Sequence, residues 1–210
     1  MPGAISEPSK ERLLRILRIL EDADRHYTSA ELETLTGWPS HTIRKDISSL
    51  GAMLELPGEE RFSAGTAAGY APRRLVPLIK EALGLAAKRT FCIVGLGRLG
   101  SAYLNLDSAA LGEFELAAGF DTNVNRVEIL KSPAPLYPAY KMADVIPRFC
   151  IEIALLCVPP EAAQNAAEKL AAAGIRGILN FAPAILTVPM GIAVRNVYVR
   201  DDLLALAIKM

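Results

Sequence analysis

The sequence has few of the residues that build disulfide frameworks, with three cysteines among 210 residues. The odd number, and the apolar segments that hold Cys92, Cys150 and Cys157, favour reduced thiols in the core over disulfides. No apolar run approaches the roughly 18 residues that a membrane helix needs, and the first residues lack the apolar core of a signal peptide. We therefore expect a cytoplasmic protein.

Net charge is also absent, because 23 basic residues are balanced by 23 acidic ones. The chain therefore cannot attract nucleic acid by its overall charge, and any DNA-binding surface has to be a local patch. The hydrophobic share of 51% is enough for packed cores, which excludes a disordered chain.

The sequence pattern changes near residue 88. The chain before this point is helical in pattern and rich in charge. Beyond it, short β-branched runs alternate with helical stretches, which is typical of an α/β domain with a parallel sheet. We therefore predict two domains, at residues 1–88 and 89–200, followed by a terminal helix at residues 201–210.

The first domain is predicted to contain a helix-turn-helix. An apolar stripe over residues 13–20 indicates a first helix. A capping box at residues 28–31 starts a second helix, which ends at Gly37. Pro39 opens a third helix, which we expect to end before Gly51. The three-residue break between the second and third helices is typical of helix-turn-helix proteins.

The third helix carries polar and basic side chains in its N-terminal half, the part that meets base edges in this motif. Arg44 is suited to bind guanine and Lys45 to bind phosphate. A merely solvated helix face carries the same residue types, so the pattern alone leaves both interpretations open. The candidate DNA-binding residues of this helix are Ser40, His41, Thr42, Arg44 and Lys45.

The second domain opens with a glycine pattern between a predicted strand at residues 90–94 and a helical stretch at 102–111. Gly95 permits a tight turn, Gly97 lets the backbone approach a pyrophosphate, and Gly100 allows the helix to pack closely on the strand. Strand, glycines and helix in this order indicate dinucleotide binding. The candidate cofactor-binding residues here are Gly95, Leu96, Gly97, Arg98, Leu99 and Gly100.

A second predicted strand, at residues 115–120, ends at Asp121, roughly 20 residues beyond the glycines. A carboxylate at this position accepts the ribose hydroxyls of NAD and repels the additional phosphate of NADP. The alternative is a solvated aspartate that opens a turn.

Three further strands are predicted at residues 151–158, 177–181 and 193–199, with a helix at 160–173. Ligands of such sheets bind beyond the carboxyl ends of the strands. Residues at these ends are therefore candidates to line the cofactor site, although each is equally suited to packing. They are Val158, Pro159, Asn180, Phe181 and Ala182.

Five segments, in this order along the chain, resemble the Rex family of redox-sensing repressors. The most specific parts of the resemblance are the Arg-Lys-Asp sequence of the third helix and the Asn-Phe-Ala-Pro sequence at the end of the fourth predicted strand. The segments are residues 43–47, 95–100, 120–121, 158–164 and 177–183.

The resemblance implies an N-terminal winged helix followed by a Rossmann-like, doubly wound parallel sheet. It implies NAD as the cofactor, bound as NADH and as NAD+. It also implies a homodimer that binds double-stranded operator DNA and releases it when NADH rises. The terminal helix at residues 201–210 is then swapped into the partner subunit.

Two positions depart from the family. The connection between Gly51 and Tyr70 is longer than usual, although its end resembles the end of the family's wing, which adds Tyr70 to the candidate DNA-binding residues. Where family members commonly have an aspartate that takes part in the switch, this chain has Tyr198.

The terminal segment is apolar around much of its circumference, with acidic residues at its start and Lys209 at its end. A helix with this pattern needs cover on more than one side. The pattern itself leaves open whether the chain's own sheet or a partner subunit supplies that cover.

An enzyme is the main alternative to a repressor. Tyr137 and Lys141 have the spacing of the catalytic pair of short-chain dehydrogenases, but three prolines between 133 and 138 disfavour a helix there. Both histidines lie in the first domain, and no acid or base is evident for hydride transfer. We therefore predict no catalytic residue, no metal site and no enzymatic activity. A Rossmann regulator that binds another nucleotide, such as coenzyme A, is a further alternative.

Overall fold

The computed structural model describes residues 5–54, 69–107 and 111–210, and the chain divides into two compact units. The first ends at Ala87 and the second begins at Lys88. Most of the long connection between Gly51 and Tyr70, where the wing is predicted, lies outside the described residues. Within the described parts of the chain, no helix is long and apolar enough to cross a membrane.

The described part of the first unit consists of four helices around one apolar core. Its only described strand-like pairing is an antiparallel bridge in which Tyr27 and Tyr70 exchange backbone hydrogen bonds of 3.1 and 2.7 Å. The buried side chains come from all four helices, so each contributes an apolar face to the same core. The helices are α1 (Glu7–Glu21), α2 (Ser29–Thr36), α3 (Ser40–Met53) and α4 (Pro72–Ala82).

Local sequence signals explain where α2 begins and ends. The predicted capping box is present, because the Thr28 amide donates to the Glu31 carboxylate at 2.8 Å and the Glu31 amide donates to the Thr28 hydroxyl at 3.2 Å. Gly37 ends the helix in the left-handed conformation, with φ of 77°. The prediction that α3 ends before Gly51 is wrong, since the helix continues to Met53. A glycine inside a helix costs only about 1 kcal/mol, and the packing of Leu50 and Met53 against the core outweighs it.

The second unit is a six-stranded parallel sheet with strand order β3-β2-β1-β4-β5-β6. This is the doubly wound parallel sheet that the sequence predicts. The strands are β1 (Arg89–Val94), β2 (Phe114–Asp121), β3 (Leu136–Pro138), β4 (Ile153–Leu156), β5 (Gly177–Asn180) and β6 (Ala193–Asn196). The helices are α5 (Arg98–Leu104), α6 (Val124–Ile129), α7 (Met142–Arg148), α8 (Pro160–Ala172) and α9 (Val199–Ile208), and a 3-10 turn spans Ala139–Lys141.

The second unit differs from the sequence-based expectations in several places. The strands predicted at residues 151–158 and 193–199 span only Ile153–Leu156 and Ala193–Asn196, and the terminal helix predicted at 201–210 spans Val199–Ile208. The helix after the glycines starts earlier and ends at Leu104, capped by Asn105, and residues 108–110 lie outside the described chain. The unpredicted β3 is an edge strand, which tolerates Pro138 because one side of its backbone needs no partner. Cys150 is exposed, with φ of 50°, and so is not the core thiol that we expected.

Candidate functional site

The glycine turn connects β1 to α5 at the carboxyl edge of the sheet. Gly95 has φ of 91°, and a Cβ there would lie 2.6 Å from the carbonyl oxygen of Cys157. A Cβ on Gly100 would lie only 1.8 Å from the carbonyl oxygen of Gly95. Gly97 is different, because nothing lies within 4 Å of a Cβ built on it. Two glycines thus allow the turn to form, and the third leaves open space in front of the backbone.

Asp121, the last residue of β2, joins this turn to the chain beyond the strand. Its carboxylate accepts hydrogen bonds from the Leu96 amide at 2.7 Å, the Asn123 amide at 2.7 Å and the Arg126 guanidinium at 2.9 Å. Burial raises the pKa of this carboxyl, but the three hydrogen bonds outweigh burial, and the pKa lies below its ordinary value. Asp121 is therefore an anion that holds the glycine turn in place.

A cavity of about 740 Å³ opens beside the turn at the carboxyl ends of β1, β2 and β4. A cavity at the carboxyl edge of a doubly wound sheet is the usual place of a dinucleotide. Its lining combines apolar groups with a few charged ones: Val94, Gly95, Gly97, Phe120, Asp121, Thr122, Arg126, Ala139, Met142, Cys157, Val158, Pro159, Glu161, Ala162, Asn165, Ala166 and Lys169.

The structure brings some of the predicted cofactor residues together around this cavity and leaves the others outside its lining. The first group consists of Gly95, Gly97, Asp121, Val158 and Pro159. Within the turn itself, Leu96 and Gly100 are buried against the sheet, whereas Arg98 and Leu99 are exposed at the start of α5. Sequence reasoning missed Arg126 on α6 and Asn165 and Lys169 on α8, because only the packing of these helices against the sheet brings them to the cavity.

The end of β5 departs from its predicted role. Asn180 is fully buried, and its side-chain amide donates to Asn196 Oδ1 at 3.0 Å and to the Tyr198 hydroxyl at 3.2 Å, while its Oδ1 accepts from the Ala182 amide at 3.0 Å. Ala182 is buried as well, and the ring of Phe181 packs on Tyr103 at 5.2 Å. Asn180, Phe181 and Ala182 therefore lie outside the lining of this cavity, and their contact with the cofactor stays a prediction. These residues form a packed corner that ties β5 to β6.

The candidate DNA-binding helix α3 presents only part of its predicted set to solvent. His41 and Lys45 are exposed, and Ser40 and Thr42 are half-buried. Arg44 is half-buried and donates a hydrogen bond of 3.1 Å to the hydroxyl of Ser29, at the start of α2. Fewer of the predicted DNA-binding side chains of α3 are therefore exposed to solvent than the sequence suggests.

Tyr70 does not belong to this surface. Its side chain is 7% exposed and packs in the core of the first unit. Burial raises the pKa of its phenol, and the charge of Arg44 acts in the opposite direction. The prediction of Tyr70 as a DNA contact is corrected, because a side chain in the core cannot reach a phosphate or a base.

An ion pair that the sequence does not reveal holds α3 against α1. The Arg12 guanidinium donates to the two carboxylate oxygens of Asp46 at 2.6 and 2.9 Å, and Asp46 is 4% exposed. The hydrogen bond to Asp46 raises the pKa of Arg12 above its ordinary value. This bidentate contact orients the helix that carries Lys45.

The residues that suggested a dehydrogenase do not share a helix. Tyr137 lies in β3, whereas Lys141 ends the 3-10 turn that follows it. The helical alignment on which that catalytic pair depends is thus missing here. Among the residues described, no group of three or more histidine, cysteine or acidic side chains is placed to hold a metal ion.

The curated relatives of this chain agree on one family. The family model named CoA binding domain matches residues 87–184. Redox-sensing transcriptional repressors Rex of Thermus thermophilus and Thermus aquaticus are 41% identical over 202 residues, which cover 92% of this chain and 88% of theirs. The Rex repressor of Levilactobacillus brevis is 33% identical over 90% of this chain and 85% of its own.

Solved structures give the same result. RSP, described as a Rex-family repressor, is 30% identical and superposes with a TM-score of 0.79, covering 99% of this chain and 94% of RSP. RSP in complex with NAD+ and operator DNA superposes with a TM-score of 0.81, over 99% of this chain and 93% of RSP, and RSP has also been solved with NADH.

Proposed function

This chain belongs to the Rex family of redox-sensing transcriptional repressors, and we propose that it binds operator DNA through its first unit and NAD(H) through its second, with NADH releasing the DNA. The observation that carries this proposal is the open backbone at Gly97, facing a cavity of about 740 Å³ at the carboxyl edge of a parallel sheet. RSP, which matches the chain over both units, binds NADH, NAD+ and operator DNA.

On the dinucleotide side, Gly97 lets the backbone approach the pyrophosphate, and Asp121 faces the adenosine ribose. Val158 and Pro159 contribute apolar surface to the cavity lining, and the Val158 side chain lies next to Gly95. NAD supplies no chemistry in this function, because its two redox states act as ligands that favour different arrangements of the repressor.

On the DNA side, α3 enters the major groove with its N-terminal half. Lys45 is exposed and neutralises a phosphate. Arg44 reaches a guanine after exchanging its hydrogen bond to Ser29. A hydrogen bond that involves a charged group contributes about 1.5–3 kcal/mol and a bidentate contact to guanine about 1–3 kcal/mol, so the exchange is close to balanced.

The assembly is a homodimer formed through α9. This helix leaves its apolar side chains exposed, and a ten-residue helix without packing is unstable in water. The exposed side chains are Val199, Leu203, Leu204, Leu206 and Ile208.

The same unit also has an uncovered apolar groove of about 490 Å³ on the sheet. It is lined by Phe91, Tyr103, Leu106, Leu111, Phe114, Ile153, Leu155, Gly177, Ile178, Leu179, Phe181, Ala193, Val194 and Arg195. Each copy thus has both an apolar helix and an apolar groove, and a two-fold exchange of α9 between partners covers both.

The relatives of this chain are regulators, and the proposed function includes no turnover. Mixing the protein with NADH and candidate carbonyl compounds is therefore expected to leave NADH unoxidised. Sustained oxidation would favour the dehydrogenase alternative. Coenzyme A is the ligand that the matching domain model names, and a separate binding experiment tests whether it displaces NADH. We place the binding of operator DNA by this repressor in the cytoplasm.

The decisive experiment measures operator binding with and without NADH, on a duplex selected in vitro from random sequences. NADH is expected to weaken binding by about 5- to 150-fold, the usual range of coupling between two sites, and NAD+ is not. Lys45→Ala should weaken binding to every duplex and lower the slope of affinity against salt by about one. Arg176→Ala, a change of a side chain that is 73% exposed in the second unit, is the control. An affinity that NADH leaves unchanged would contradict the proposal.

A further inference from the structure

The carboxylate of Asp121 is already largely occupied. A carboxylate offers about four acceptor positions. The Leu96 amide and the Arg126 guanidinium both bind Oδ2, and the Asn123 amide binds Oδ1. One position is left, on Oδ1. The ribose of a dinucleotide carries two neighbouring hydroxyls, so it needs a second acceptor position on the same group.

Of the three donors, Arg126 is the one that ligand binding can displace. The amides of Leu96 and Asn123 belong to the backbone of the turn and of the Asx turn after β2, and they move only if these turns unfold. The Arg126 side chain is 41% exposed and lines the cavity, so its guanidinium can turn to solvent. The carboxylate of Asp121 is 5% exposed, and the two backbone amides together with the ribose hydroxyls then keep it hydrogen-bonded. Lys169 and Glu161 are the other charged side chains in the cavity lining, and both lie on α8.

We propose that Arg126 competes with the adenosine ribose for Asp121 and thereby lowers the affinity of this repressor for NADH. The inference rests on the proposed function, and it adds a residue that sets the NADH concentration at which DNA is released. Binding of NADH exchanges one guanidinium hydrogen bond for one ribose hydrogen bond, so the net gain from Asp121 is smaller than in a site without the arginine.

Arg126 also changes how strongly the site rejects NADPH. A 2′-phosphate next to Asp121 is repelled by the carboxylate, and the guanidinium partly neutralises that carboxylate. Removing the arginine should therefore shift the two affinities in opposite directions. A general loosening of the turn would instead weaken both cofactors together.

The test is titration of the full chain with NADH and with NADPH, followed by nicotinamide fluorescence, for Arg126→Ala and for Arg126→Lys. Arg126→Ala should bind NADH roughly three- to tenfold more tightly and NADPH more weakly. The fold-change for NADH lies between those that correspond to the free energies of an exposed ion pair and of a buried charged hydrogen bond. Arg126→Lys keeps the charge and should stay close to the unchanged protein. In an Asp121→Asn background, Arg126→Ala should no longer tighten NADH binding.

The outcomes separate this inference from the proposed function. If the unchanged protein binds NADH and Arg126→Ala binds it equally or more weakly, the proposed competition is wrong and the proposed function still stands. If the unchanged protein does not bind NADH, the proposed function fails and the competition fails with it. Tightening that persists in the Asp121→Asn background would also overturn the competition, because the effect would not pass through that carboxylate.

Discussion

Gly97 and Gly100 lie three residues apart in one turn, yet alanine should affect them in opposite ways. Gly97→Ala should leave the fold intact and weaken dinucleotide binding. Gly100→Ala should destabilise the second unit. The difference follows from what a Cβ meets at each position, which is open space at Gly97 and the backbone of the same turn at Gly100.

The magnitudes follow from these distances. A Cβ on Gly100 would lie 1.8 Å from the oxygen and 2.9 Å from the carbon of the Gly95 carbonyl, so α5 and the strand must separate. Overpacking of this kind typically costs about 1–3 kcal/mol, and contact with rigid backbone places Gly100→Ala at the upper end or beyond. Gly97 has φ of −67°, which alanine adopts freely, so stability should change by less than about 1 kcal/mol.

The assay combines thermal unfolding, followed by circular dichroism, with NADH titration by fluorescence. For Gly97→Ala, a methyl group at the pyrophosphate should cost about 1–3 kcal/mol of binding or more, which is a loss of at least five- to 150-fold. If Gly97→Ala keeps the affinity for NADH, the glycine turn is not the pyrophosphate site. If Gly100→Ala is as stable as the unchanged protein, the close packing of α5 on β1 is not needed.

Three further predictions concern stability and assembly. Arg12→Ala leaves the buried carboxylate of Asp46 without its partner and should lower the free energy of unfolding by about 2 kcal/mol or more. Urea denaturation, followed by the fluorescence of the single tryptophan in the first unit, measures this loss. A loss below about 0.5 kcal/mol would contradict the role of the ion pair. Hydrogen bonds from Thr28 and Arg25 lower the pKa of Glu31 to about 2, so its stabilising effect is complete above the ordinary value of 4.5 and is lost as the pH falls towards 2; Glu31→Gln should flatten this part of the stability profile. Deletion of residues 201–210 should convert the dimer to monomer or aggregate in light scattering and weaken operator binding, whereas an intact dimer would refute assembly through α9.

The sequence by itself determined the elements whose causes are local. A capping box is made by residues three apart, so Thr28 and Glu31 predict the start of α2. The close approach of Gly100 to the Gly95 carbonyl depends on neighbours within a few residues along the chain, whereas the contact of Gly95 with Cys157 does not. Alternation of β-branched and helical segments predicts a parallel sheet, because a helix between two strands returns the chain to the end of the sheet at which the first strand began. Family resemblance then added NAD, operator DNA and the dimer.

Only the tertiary structure decided which polar and charged side chains are buried or paired within the fold. Tyr70 and Asn180 are polar enough to suggest binding, yet the fold buries both. Arg12 pairs with Asp46, which is distant in the sequence, and Arg126 pairs with Asp121 through a turn. Sequence periodicity predicts neither ion pair. The reason is physical. A local pattern sets the conformation of a backbone segment, but burial and ion pairing depend on which other segment lies opposite, and packing of the whole unit determines that.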